Sequence, residues 1–166
     1  MGSPSTRRTT RSARSSETAG PGGEPLLSAE AVASALELAR DAADSGLVPV
    51  TRRSRGAVVT ERGPRHVSGC SVEIAAAPRL GVCAEHVALA AAVTEGIAPA
   101  AVAIWTAEGD TSPLPCGPCR QVLAELAPAA QVWLKVGGGP PRLLKVHELL
   151  PMPFGKDRLP GEGPTP

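Results

Sequence analysis

From Ser28 onward the apolar residues recur at helical spacing: in SAEAVASALELARDAADSG, Val32, Leu36 and Ala39 share one side. Ser28 stands where an N-cap is needed and Gly46 just past the end, so the stretch predicts an amphipathic helix. The pattern then changes to two β-branched runs, around Val58 and Val67, split by Arg62, Gly63 and Pro64, which predicts a hairpin. Further on, CAEHVALAAAVTEG predicts a helix made largely of alanine, AAVAIWTA a buried strand, and CRQVLAELA a helix stopped by Pro128. QVWLKV and RLLKV predict strands on either side of a Gly/Pro turn. The order is αββαβαββ. Strands this continuously apolar do not leave one face to water, so the pattern predicts an α/β fold with helices covering both faces of its sheet.

Composition trims this picture at the ends. Residues 1–25 are rich in Ser, Thr, Gly and Pro and carry Arg7, Arg8, Arg11 and Arg14 with almost no large apolar side chain. Such a segment buries too little to offset the entropy of ordering, so a disordered tail is expected, with a second short one at 161–166 and one domain over 26–160. An Arg- and Ser-rich start also shares the composition of an organelle transit peptide, although it lacks an apolar face at helical spacing. The whole chain of 166 residues has a formal charge of +1, and without its first 25 residues the charge is −1. With two Trp, one Phe and no Tyr there is no row of stacking platforms either, so a nucleic-acid partner is not expected. No apolar run is long enough for a membrane span and no secretory leader pattern is present, which predicts a soluble, cytoplasmic protein with no membrane partner.

That setting changes the meaning of the four cysteines. A chain this long can build a core without disulfide staples, and a reducing compartment disfavours them, so Cys116-Gly-Pro-Cys119 is a disulfide, a redox pair or part of a metal site, with the first disfavoured. Cys83 and Glu85 open one predicted helix, and Cys116 and Cys119 open the next. Unpaired N–H groups and the positive end of the helix dipole favour thiolates at such positions. Three thiolates hold Zn²⁺ and leave a fourth position for water, the open arrangement of a catalytic zinc, and a carboxylate beside it can carry the proton from nucleophile to leaving group. Glu85 is spaced for that role.

Cys-Ala-Glu followed, with 25 residues between Leu89 and Pro115, by Pro-Cys-x-x-Cys resembles the zinc-dependent cytidine deaminase family. GAVVTERGPRHVSGCSVE is similar to that family's Gly-Ala-Ala hairpin and its Gly-Cys-Asn-x-Glu segment, and VHELLPMPFG to its Glu-Leu-Leu-Pro and Phe-Gly ending, so residues 28–159 are covered. The resemblance implies a three-layer αβα sandwich around a five-stranded mixed sheet, assembled as a homotetramer with active sites at subunit contacts. It implies a Zn²⁺ cofactor on Cys83, Cys116 and Cys119, water attacking C4 of the cytosine ring of a free nucleoside, Glu85 carrying the proton and ammonia leaving. It also implies that Glu73 binds ribose, that the backbone of Ala84 lies near the base, and that Phe154 closes over the base, often in a neighbouring chain; a plain core position is the alternative for Phe154. The reaction would belong to pyrimidine salvage.

Four differences from the family pattern fall on substrate groups. Ser71 replaces the usual Asn beside ribose, Arg53 stands near the position of a base-lining Phe, and the connection EIAAAPRLGVC is one residue longer and lacks a Tyr. Arg52, Arg53 and Arg55 form a basic cluster that is either a solvated loop or a guanidinium site awaiting an acidic group on the substrate. The latter would suit a modified cytosine nucleoside of the blasticidin type. Nearest the metal, His86 replaces an Arg that offsets the thiolate charge. Cys83 and His86 are three apart on a helix, which leaves open a closed, non-catalytic zinc module of three cysteines and one histidine. His66 and His147 are expected at the surface or as caps, and Cys70 as a buried free thiol.

Overall fold

The computed structural model describes residues 26–155; both expected tails, and residues 156–160 of the expected domain, lie outside the described residues. In chain order the elements are α1 (Ala29–Asp44), β1 (Arg55–Thr60), β2 (His66–Cys70), a 3-10 turn (Pro78–Leu80), α2 (Ala84–Glu95), β3 (Ala101–Thr106), α3 (Gly117–Leu126), β4 (Gln131–Val136), β5 (Arg142–Lys145) and the short α4 (Val146–Leu149). The expected order is reproduced, with the 3-10 turn and α4 added.

Ser28 caps α1 by accepting from the Ala31 N–H at 3.2 Å, and Val32, Ala35, Leu36, Ala39 and Ala43 make the buried stripe its spacing predicts. Helix α2 ends at Gly96, whose φ of 63° is the left-handed conformation glycine adopts without a Cβ clash. The five strands lie in the order β2-β1-β3-β4-β5; β3 and β4 are parallel and every other pair is antiparallel.

Alternation along the strands sorts the core into two layers. Ala57, Val59, Val102, Ile104, Val132 and Leu134 face α2, α3 and α4, packing on Ala88, Leu89, Leu123 and Leu149. Val58 and Ala103, in register across β1 and β3, face the other way onto Val32, Leu36 and Ala39 of α1, with Trp105 and Trp133 beside them. The result is an αβα sandwich over a mixed sheet.

The hairpin touches a helix backbone on each side. A Cβ at Gly56 would run into the Ala39 carbonyl of α1, and one at Gly69 would lie 2.5 Å from the Ala88 nitrogen and 2.6 Å from the Ala84 carbonyl oxygen of α2. Only glycine allows this approach. Gly69→Ala should therefore destabilise the protein by about 1–3 kcal/mol, the usual cost of overpacking. Urea unfolding measures it, and an unchanged midpoint would mean that α2 moves aside without cost.

Candidate metal and proton-transfer site

Cys83 and Cys116 are the N-cap residues of α2 and α3, and Cys119 lies in the first turn of α3. Neither cap residue makes a side-chain hydrogen bond to its helix, so both sulfurs stand at a helix start with no cap bond of their own to satisfy. The Sγ atoms of Cys83 and Cys116 are 3.7 Å apart and those of Cys116 and Cys119 3.2 Å, and all three sulfurs lie within 4.8 Å of one another. Zinc–sulfur bonds of about 2.3 Å in a tetrahedron separate two sulfurs by about 3.8 Å. The cluster therefore has the spacing and the donor chemistry of a three-cysteine zinc site. Cys83 is pulled down to about 6, first by the hydrogen bond from Cys119; the same bond, with burial, pushes Cys119 up. One thiol holds the proton that the other sheds, so a cation would bind here by displacing protons from thiols.

Glu85, in the first turn of α2, is 1 % exposed, and both its carboxylate oxygens are buried without a hydrogen-bond partner. A buried carboxylate normally finds a partner, so two orphaned oxygens two residues along from a zinc-type thiol mark a group whose partner is a ligand. Ala84 between them is fully buried. His86 is half-buried and does not join the ligand cluster, which among the described residues consists of the three cysteines, so the closed alternative with a histidine loses its fourth ligand.

The expected substrate residues fall into two groups. Ser71 and Glu73 flank Val72, whose N–H and carbonyl exchange hydrogen bonds with Val82 at 3.0 and 2.9 Å, so both sit on the segment paired with the one that leads into Cys83. The Glu73 carboxylate accepts from Thr51 Oγ1 at 2.5 Å, the Thr51 N–H at 3.0 Å and the Val50 N–H at 2.8 Å. These bonds, the Thr51 hydroxyl foremost, hold its carboxyl below the usual range. Glu73 thus braces the loop before β1, at the turn where Arg52 takes a φ of 56°. Arg53 lies in that loop. Its half-exposed guanidinium lies 3.8 Å from Asp110 and donates to Thr111 Oγ1 at 3.3 Å.

Phe154 is not in the core: it is 53 % exposed, while its N–H donates to Gln121 Oε1 at 3.0 Å and its carbonyl accepts from Gln121 Nε2 at 2.9 Å. The aromatic is presented outward from a segment pinned to α3. Cys70, expected to be buried, is half-buried and points its thiol at the Ser45 carbonyl, 3.7 Å away, because the end of β2 lies at the sheet's edge. His66 and His147 are exposed as expected. Residues given no role in the sequence reading also converge here: Arg120 Nε donates to the Pro115 carbonyl at 2.8 Å, and buried Asp110 pairs with Arg55 at 2.6 Å. The adjacency of Arg120 and Gln121 to Cys119 was the one sequence signal pointing to them.

Three thiols at two helix starts and an orphaned buried carboxylate, on an αβα sandwich, are the ligands and the proton carrier that a zinc hydrolase would need. Residues 29–135 match the family described as the cytidine and deoxycytidylate deaminase zinc-binding region, and the chain belongs to that family. Among curated relatives it is 35 % identical over 114 residues to a cytidine deaminase of Halalkalibacterium halodurans, covering 68 % of this chain and 86 % of that one. It is also 35 % identical over 131 residues to a cytidine deaminase of Mycobacterium tuberculosis, covering 75 % and 90 %. Among solved structures, the cytidine deaminase of Burkholderia pseudomallei superposes with a TM-score of 0.68 at 32 % identity, covering 77 % of this chain and 100 % of the other.

Proposed function

We propose that this chain is a zinc-dependent hydrolase that deaminates cytidine and deoxycytidine to uridine and deoxyuridine with release of ammonia. The observation that carries the reading is Glu85, buried with both oxygens unpartnered beside three thiols that fit one zinc ion. Cys83, Cys116 and Cys119 hold the metal. When bound, zinc supplies the Lewis acidity that makes water a nucleophile near neutral pH. Water adds at C4 of the cytosine ring, Glu85 passes one of its two protons to ring N3 and then the other to the departing amino group, and the C–N bond breaks to leave the C4 carbonyl and ammonia. Burial of Glu85 keeps bulk water from competing for those protons.

Glu73 and Ser71 are the ribose-side residues of this reading, with the Glu73 carboxylate also holding the 50–51 loop; Ala84 offers backbone to the base, and Arg53 stands on the substrate side. Phe154 serves a neighbouring copy in a homotetramer, a reading supported by its exposed ring on a segment anchored by two hydrogen bonds. Among the described residues no helix is long and apolar enough to cross a membrane, and a cytoplasmic place in pyrimidine salvage accords with a free nucleoside substrate.

The test is direct. The zinc-loaded full chain, given cytidine and deoxycytidine separately, should form one uridine or deoxyuridine per ammonia, lose this activity to a chelator and regain it with zinc. No conversion of either nucleoside by protein holding one zinc per chain would overturn the assignment.

A further inference from the structure

The loop that carries the chain from β3 to Cys116 is tied to β1 by one buried acid and one arginine. Asp110, its side chain 3 % exposed, accepts from Thr106 Oγ1 at 2.7 Å, from the Ser112 N–H at 2.9 Å and from Arg55 Nη2 at 2.6 Å. The Arg55 guanidinium also donates to the Ser112 carbonyl and, at 3.3 Å, to the Leu114 carbonyl, two residues ahead of Cys116. Arg120 holds the next carbonyl, that of Pro115, from α3 itself. Two guanidinium groups from different layers of the fold therefore grip successive peptide units just before a zinc ligand.

Charge points the same way. Three thiolates on one Zn²⁺ would leave a net −1, and the buried Glu85 side chain lies two residues along from Cys83. His86, the side chain following Glu85, is not a fixed cation. Arg53 and Arg55 together face Asp110, so one positive charge remains uncancelled at this end of β1. The side chain of Arg55 is only 17 % exposed, so little solvent screens it.

We infer that Arg55, held by Asp110, is the positioning residue of the zinc site: it locks the Cys116-bearing loop to β1 and supplies the fixed positive charge that balances the thiolates. This rests on the zinc reading above but not on the identity of the substrate. Groups of this kind change metal affinity by about 10- to 100-fold.

Competition for zinc against a chromophoric chelator tests it on the full chain, in the parent and in Arg55→Gln, Arg55→Lys and Asp110→Asn. Arg55→Gln should bind zinc about 10- to 100-fold more weakly, and Arg55→Lys, which keeps the charge but loses the fork, should fall between it and the parent. Loss of a merely structural contact lowers the melting temperature of the zinc-free protein without producing that order. Should Arg55→Gln not fold, Asp110→Asn, nearly isosteric, takes its place: it frees the loop but keeps the Arg55 charge, so its expected loss is the intermediate one of Arg55→Lys. Affinity within about twofold of the parent in the neutral variant, well short of a positioning residue's usual effect, or Arg55→Lys no tighter than Arg55→Gln, overturns the inference. A parent that binds zinc yet deaminates neither nucleoside overturns the proposed reaction and leaves this inference standing.

Discussion

Glu85→Gln should hold its zinc and its fold and lose deamination of cytidine by at least about 100-fold, the usual worth of positioned acid-base transfer. The amide keeps the shape and burial of the carboxylate but can neither take a proton from water nor pass one to the leaving group. Zinc content by metal analysis, thermal unfolding and steady-state kinetics read the three properties separately. Removing a buried carboxylate that has no partner relieves a desolvation penalty, so the melting temperature should stay level or rise. Near-normal turnover in the variant would take the proton-carrying role away from Glu85.

Cys116→Ala and Cys119→Ala should each lose the metal and, with it, thermal stability. A zinc ion held by the sulfurs, 3.2 and 3.7 Å apart, would join α2 to α3, so a missing ligand should both weaken binding and unlink the helices. Cys119 is fully buried and Cys116 exposed, so the alanine substitution of Cys119 adds a small cavity cost that the one of Cys116 does not. Metal analysis and melting curves with and without added zinc decide it; full zinc occupancy in both variants would remove the ligand assignment. The Cys70→Ala variant is the control, because that thiol faces the Ser45 carbonyl and not the cluster.

Local pattern made the five strands and the three longer helices legible, since each announces itself within a dozen residues: Ser28 as a cap, Val58 and Val67 on either side of Gly63-Pro64, Gly96 after the alanine-rich helix. The placement of Cys83, Cys116 and Cys119 at helix starts was legible for the same reason. What escaped were pairings set by the tertiary fold. Arg53 and Arg55 read as a basic cluster in a loop because Asp110, which answers them, lies 55 residues beyond Arg55. Glu73 read as a substrate group, and the separation of 22 residues from Thr51 concealed that its carboxylate is already bonded to that loop. Phe154 could be core or surface until the Gln121 clasp fixed its backbone and left its ring outside.

Gly69 has a consequence for how the site tolerates change. At Gly69 α2 rests on β2 by backbone against backbone, so at this one point no rotamer lies between the strand and the first turns of the helix that Cys83 caps. Packing through side chains can relax when a neighbour is altered; this contact has nothing to rotate. The outer face of α2, where Val93 is exposed, is then free for redesign, since substitutions there act on solvent and leave the helix start where the sheet puts it. The position of the carboxylate is inherited from strand geometry and is insulated from the drift of the surrounding surface.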